Sequence, residues 1–193
     1  MVLGVASPLQ GVANPPLAGA QAANPSDIQL HARYDQPDGR HDRGARAFEP
    51  AESFEARSIA ISDGDSFEVR RLDGRRVRIR LAGIDAPEKS QPWANVARDR
   101  LGALLRGRTL SVAAVKTDRW GRLVAFVDAE GEDVALTMLD AGLAWHYPRY
   151  DHELPPALRE RYARAAAHAR EERVGLWRAA NPEPPWEFRR RSR

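Results

Sequence analysis

The chain has 193 residues, 42% apolar and 30% charged, which at about 150 residues per domain suits one domain with appendages. It contains no cysteine, and this excludes structural disulfides, thiolate nucleophiles and cysteine-ligated zinc or iron–sulfur centres. The 30 Lys and Arg exceed the 27 Asp and Glu by +3, and only Lys89 and Lys116 are lysines, so the positive charge sits on guanidinium forks suited to phosphate or carboxylate.

The first 26 residues carry no charged side chain, yet Pro8, Pro15, Pro16 and Pro25 interrupt any membrane-spanning helix. Ala20-Gln21-Ala22 has the small residues of an export-signal cleavage site, without a basic segment before it, so residues 1–22 read as a degenerate export signal. Export to the cell envelope or medium is the expectation, with the cytoplasm as the alternative. Residues 27–52 are polar and turn-rich without periodicity, the pattern of a disordered linker. Residues 1–52 carry four Arg against six acids, net −2, and the remaining 141 carry 26 against 21, net +5. The base excess therefore belongs to the expected domain at 53–180 and the basic tail at 181–193.

Order is expected from about Phe54. Ser58 to Ser62 reads as a short strand, and Asp63-Gly64 as a turn into a strand from Asp65 to Arg71. Asp73-Gly74 marks a hairpin whose return strand, Arg76 to Leu81, sets Val77, Ile79 and Leu81 on one face and Arg76, Arg78 and Arg80 on the other. A two-residue loop would mix the apolar and charged faces, so the loop must be odd. A three-residue loop with Gly74 at positive φ pairs Phe67 with Leu81 and Val69 with Ile79, sets Glu68 opposite Arg80, and puts Asp65 opposite Gly83.

Downstream, Ala94 to Leu105 carries a helical stripe of Val96, Ala97, Leu101, Leu104 and Leu105 ended by Gly107. Thr109 to Val115 and Arg122 to Val127 read as strands around Asp118-Arg119-Trp120-Gly121, and Asp133 to Ala141 as a helix. A last helix opens at Pro155 or Pro156 and runs to about Arg173, with Leu158, Tyr162, Ala165, Ala166 and Ala169 on one face and Gly175 as its cap. Three strands, a helix, two strands and two helices suggest a small barrel with helices packed on it.

Asp65, Asp85 and Glu88 converge at the open end of the hairpin beside Arg80. Hard oxygen donors on strand ends suit calcium or magnesium, which would relieve the mutual repulsion of three acids. The plainer reading is an exposed acidic loop balanced by Arg80, and spacing alone leaves both open. Asp151-His152-Glu153 reads as solvated or structural, since adjacent loop residues point different ways. His146 and His168 have no ligand-spaced partner. Trp145 and Trp177 read as packing, Pro184-Pro185-Trp186 as a segment docking on the barrel, and the run from Arg189 to Arg193 as a solvated tail with nonspecific phosphate attraction.

Three blocks, Ser62-Asp63-Gly64-Asp65-Ser66, the stretch from Arg80 to Glu88 (RLAGIDAPE) and Thr117-Asp118-Arg119-Trp120-Gly121-Arg122, together resemble the thermonuclease (staphylococcal nuclease-like) family. Gly142-Leu143-Ala144 and Gly175-Leu176-Trp177 match it as well, and the resemblance runs over about residues 54–186. It implies an α+β, mostly β fold: a five-stranded OB-type barrel with about three packed helices. It further implies that Asp65, Asp85 and the Ala86 carbonyl bind Ca²⁺, that Glu88 serves as general base or orients the attacking water, and that Arg80 and Arg122 grip the scissile phosphate. The activity implied is calcium-dependent hydrolysis of DNA and RNA with little sequence preference, giving 3′-phosphate and 5′-hydroxyl ends, from a monomer acting on single-stranded or locally opened substrate. A noncatalytic nucleic-acid-binding barrel of the same fold is the alternative, although such a binder is expected to lose acids or arginines that are all present here.

The chain departs from the family at Ala94-Asn95-Val96, and again at the nucleotide pocket. Counting from Gly142-Leu143-Ala144 puts Pro148 at the first pocket tyrosine and Tyr150 at the second, with Tyr147 serving as the first after a one-residue shift. Arg119 and Trp120 stand where the family has a basic and an aromatic residue, for phosphate contact and base stacking, with simple packing as the other reading of Trp120.

Overall fold

Two amphipathic strands cannot bury their apolar faces alone, and here five of them roll into a closed barrel. The computed structural model describes residues 50–192; the linker and export-signal readings at the N-terminus fall almost wholly outside the described residues. The barrel strands are β1 (Glu52–Ile61), β2 (Ser66–Arg71), β3 (Arg76–Leu81), β5 (Leu110–Thr117) and β6 (Leu123–Ala129). They pair in the order β3-β2-β1-β5-β6, and a parallel β3–β6 pairing, with Arg80 opposite Val124, closes the ring. Inside lie Phe54, Phe67, Val69, Ile79, Leu81, Leu110, Val112 and Val127. The ring matches the expected α+β barrel, and no helix among the described residues is long and apolar enough to cross a membrane.

The β2–β3 hairpin has a three-residue loop with Gly74 at φ +86°, as the parity argument requires, but its register lies two residues from the expected one. Phe67 faces Ile79, Val69 faces Val77 and Glu68 faces Arg78. A two-residue shift keeps every side chain on its face, so burial patterning cannot distinguish the two registers. The Arg71 N–H bonds the Arg75 carbonyl, and the Gly74 N–H returns to Arg71, making Leu72-Asp73-Gly74 the loop. Asp65 therefore lies beside Leu81, whose N–H donates to the Asp65 carbonyl at 2.9 Å, and not beside Gly83. β1 is also longer than the Ser58–Ser62 stretch: its first half pairs with β5 from Glu52 to Ala56 and its second half with β2.

Among the described residues three α-helices pack on the barrel and a fourth follows. α1 (Ala94–Leu105) buries Ala94, Ala97, Leu101, Leu104 and Leu105. Val96 stays 48% exposed, since it sits off the stripe that runs from Ala94 through Ala97 and Leu101. α2 (Val134–Asp140) is capped by the Asp133 carboxylate, which accepts from the Leu136 N–H at 3.0 Å. α3 (Pro156–Glu171) buries Tyr162 against it, with the phenol donating to the same carboxylate at 3.0 Å. Gly142 and Gly175 meet where α2 and α3 end: a methyl group on Gly175 would stand 2.2 Å from the Gly142 carbonyl oxygen, and one on Gly142 would stand 2.4 Å from that of Val174. Trp145 and Trp177 meet edge-on with centroids 5.2 Å apart.

Two short pairings matter for the site. β7 (Glu132–Asp133) turns back to pair antiparallel with the end of β6, and β4 (Ile84–Asp85) pairs antiparallel with β8 (Trp145–His146). The expected solvated tail is instead largely helical: α4 (Pro185–Arg191) folds back on the barrel and carries Arg189 to buried carboxylates.

Candidate active site

The open end of the hairpin forms one wall of a cleft of about 1050 Å³. β3 delivers Arg80 to it, the turn after β3 leads into β4 and Asp85, and the turn before β2 supplies Asp63 and Asp65. The rigid Ala86-Pro87-Glu88 stretch follows Asp85. Asp65 and Asp85 are only 5% and 1% exposed, and charge buried to that depth has to be compensated.

The compensation comes as a chain of contacts. The Arg80 guanidinium lies 3.1 Å from Asp65 Oδ2 and donates to Asp85 Oδ1 at 2.8 Å. It also donates to the carbonyls of Leu81 and Ile84 at 3.0 and 2.8 Å, which fixes its plane. The Ala86 N–H donates to Asp65 Oδ2 at 2.7 Å, while Ser66 Oγ donates to Asp65 Oδ1 at 2.8 Å and accepts from Arg122 Nη1 at 3.2 Å. Arg122, just before β6, thus reaches Asp65 through one hydroxyl. Its Nε donates to Asp118 Oδ2 at 2.8 Å, so three of its five N–H donors are left for a ligand. The acids and both arginines share one cleft.

Electrostatics follow from burial. Desolvation, then the neighbouring Asp65, push the Asp63 carboxyl up to about 7. Burial likewise raises Asp85, against the pull of Arg189 and Arg80. Burial would also raise Asp118, but bonds from the Arg122 N–H and guanidinium and from the Trp120 N–H outweigh it and hold the group below its ordinary value.

Arg119 and Trp120 form the outer lip. Trp120 is 55% exposed, with the guanidinium of Arg119 4.1 Å and that of Arg122 5.1 Å from its ring centre. The indole is presented to the cleft and not packed into the core. Tyr147 and Tyr150 line the far wall at right angles, centroids 5.2 Å apart, and Tyr147 is held by its N–H to the Gly83 carbonyl. Trp186 of α4 stacks on Tyr147 at 4.9 Å and 8°, in line with the docking expected of Pro184-Pro185-Trp186. His146, read as having no ligand-spaced partner, has Nε2 2.8 Å from Asp151 Oδ1, a contact made by the turn at Pro148–Glu153.

Comparison with known sequences settles the lineage. The family profile described as Staphylococcal nuclease homologue matches residues 78–179. The chain belongs to the staphylococcal nuclease family. It is 41% identical over 128 residues to the staphylococcal-like nuclease CAN1 of Arabidopsis thaliana, covering 66% of this chain and 38% of that protein. It is 40% identical over 139 residues to an uncharacterized endonuclease of Escherichia coli O157:H7, covering 70% of this chain and 84% of the other. A third relative, an uncharacterized endonuclease of Haemophilus influenzae, is 33% identical over 137 residues, 71% of this chain and 74% of that one. The chain spans between 33% and 44% of the length of the plant relatives CAN1 of Arabidopsis and of rice and a Capnoides protein.

Within this staphylococcal nuclease homologue, residues outside the motifs also build the site. Ser66 bridges Arg122 to Asp65, and Asp118 orients Arg122. Gln91 accepts from the Glu88 N–H at 2.8 Å and donates to the Glu183 carbonyl at 2.9 Å. Arg189 donates to Asp85 Oδ2 at 2.7 Å and to Glu88 Oε1 at 2.5 Å. Burial would lower the Arg189 pKa, but the bonds to Asp85 and Glu88 outweigh it and raise it, so this cation is permanent. Ser66 and Asp118 lie inside recognisable blocks; Arg189, in a run of similar arginines, carries no positional signal in the sequence.

Proposed function

We propose that the chain is a calcium-dependent phosphodiesterase that cleaves DNA and RNA strands internally with little sequence preference, leaving 3′-phosphate and 5′-hydroxyl ends. The observation that carries this reading is the continuous contact chain Arg122–Ser66–Asp65–Arg80–Asp85, which places two arginines and two buried acids around one cleft. The relatives' names, nuclease and endonuclease, point the same way.

The donor set fits a hard divalent cation. Asp65 and Asp85 offer carboxylate oxygens beside the Ala86 carbonyl, and burial holds Asp63 and Asp85 above their ordinary pKa, a strain that added positive charge relieves. Among the described residues no three His, Cys, Asp or Glu side chains gather at ligating separations, so protein would supply only part of a shell, as is usual for hard cations that keep waters. When bound, calcium supplies charge at the phosphoryl oxygens. Arg122, with donors to spare, grips the phosphate in a forked geometry that Asp118 fixes in advance. Arg80 holds the acids together and adds positive potential at the same point. Glu88, at the rim, takes the proton of the attacking water. Trp120, exposed at the lip, offers a ring face for a base, and Tyr147, one face of which Trp186 covers, and Tyr150 add aromatic surface on the far wall; because such stacking and phosphate contacts carry little base information, sequence preference is weak.

The test uses single-stranded DNA and RNA with calcium and then with chelator, comparing wild type with Glu88→Gln. Cleavage is expected only with calcium, and the variant should lose about 10²- to 10⁴-fold in kcat, the range for a general base. Strand binding without hydrolysis in either condition would make the protein a binder instead. Arg80 is a poorer probe: at 14% side-chain exposure it supports two buried acids, so its loss is expected to unfold the site as well as disable it.

A further inference from the structure

The sequence ends in a basic run, Arg189-Arg190-Arg191-Ser192-Arg193, of which one member does something distinct. Arg190 and Arg191 pair with acids of their own segment, exposed Glu187 and half-buried Glu183. Arg189 leaves the segment altogether. Its two terminal nitrogens straddle Asp85, Nη2 to Oδ2 at 2.7 Å and Nη1 to Oδ1 at 3.2 Å, and Nη1 also reaches Glu88 Oε1 at 2.5 Å.

Some of the site's atoms have no other partner among the described residues. Among the described residues, the Glu88 carboxylate has no other hydrogen-bond or ion-pair partner than Arg189, and Asp85 Oδ2 has none other either. Asp85 is 1% exposed, so that oxygen cannot turn to solvent. The mount is built to hold position. Gln91, 7% exposed, ties the Glu88 backbone to the carbonyl of Glu183 just before α4. Trp186, one turn before Arg189, lies flat on Tyr147 and packs against the Trp145–Trp177 cluster.

We infer that Arg189 is a positioning residue of the phosphodiesterase site, orienting Glu88 and Asp85 from α4, so that the segment from Glu183 to Arg191 is a wall of the catalytic cleft. This rests on the nuclease reading given above. A flexible glutamate at a cleft rim samples several rotamers, and a base is useful only in the one that faces the water. The guanidinium fork selects a rotamer and joins it to the neighbouring acid. Arg189 and a bound cation draw on the same Asp85 oxygens, so Arg189 orients the acids without adding to their affinity for metal.

The test compares full-length wild type, Arg189→Gln and Arg189→Lys by single-stranded DNA cleavage, thermal unfolding and calorimetric titration with calcium alone. Arg189→Gln is expected to lose on the order of 10- to 100-fold in kcat, the usual cost of removing a partner that orients a site group, with KM nearly unchanged; the unfolding midpoint should fall in chelator, because Asp85 Oδ2 is left buried without a partner, and recover with calcium. Calcium should bind this variant at least as tightly as wild type, because a competing cation has left Asp85. Arg189→Lys should recover part of kcat but not all, since an ammonium carries charge without the fork. Unchanged kcat in Arg189→Gln would overturn the assignment. So would a parallel fall of kcat, calcium affinity and unfolding temperature with calcium present, which is the signature of a latch that only holds the fold. Failure of the wild type to cleave at all would refute the nuclease reading separately.

Discussion

Gly64 separates Asp63 from Asp65 and has no room for a side chain. A methyl group there would stand 2.6 Å from the Ala97 methyl on α1 and 2.8 Å from the Ala86 methyl. Both obstacles are themselves single carbons fixed to backbone, so neither can rotate aside. Reaching an ordinary carbon contact of about 3.6 Å requires α1 or the 86–88 stretch to retreat by about 1 Å. Gly64→Ala is therefore expected to destabilise the protein by about 2 kcal/mol, the middle of the range for overpacking, read from urea unfolding. Because one displaced group is Ala86, whose N–H holds Asp65 Oδ2 at 2.7 Å, calcium affinity should fall by about tenfold, or about 1.4 kcal/mol. Adding Ala97→Gly removes the closer clash at a helix cost of about 1 kcal/mol, and should restore some calcium affinity without restoring stability. A single variant within about 0.5 kcal/mol of wild type, the range of an inconsequential surface change, with unaltered calcium binding would refute this account.

The buried pairing of Tyr162 with Asp133 gives a second handle: Tyr162→Phe removes the donor to a carboxylate that also caps α2, and should cost about 1–3 kcal/mol in chemical unfolding. No loss would show that water replaces the phenol. Asp63 supplies a pH signature. Its folded pKa, about 7, lies above the ordinary 3.8, so the folded state binds the proton more tightly. In chelator its contribution is complete below about pH 3.8 and disappears as pH rises through about 7, with an upper limit of about 4 kcal/mol at 1.36 per unit and less after solvent screening. Asp63→Asn should flatten that decline, and an undiminished slope in the variant would assign it to another group.

Legibility tracked the physics of each signal. The β3 alternation, the α1 boundaries and the barrel were readable because burial imposes a period on side chains, and Ala94 to Leu105 was bounded correctly by its stripe and by Gly107. The hairpin register was not readable, since a shift of two residues leaves the period unchanged and only the Arg71–Arg75 and Gly74–Arg71 backbone bonds select between them. Asp65, Asp85 and Arg80 were brought together by local chain geometry and so were visible from spacing. Arg189 reaches the same acids across about a hundred residues of sequence, through a helix whose arginines look alike, and nothing periodic distinguishes the one that turns inward.

The back-to-back meeting of Gly142 and Gly175 gives the C-terminal wall a datum. From that joint the chain has a fixed origin, and the stretch from Ala179 to Pro184 acts as a ruler that meters Arg189 onto Asp85. One inserted residue would add up to about 3.5 Å of contour, more than the 2.7 Å contact can absorb, so the length of that unremarkable connector decides whether Arg189 meets Asp85 as much as the charges at either end do.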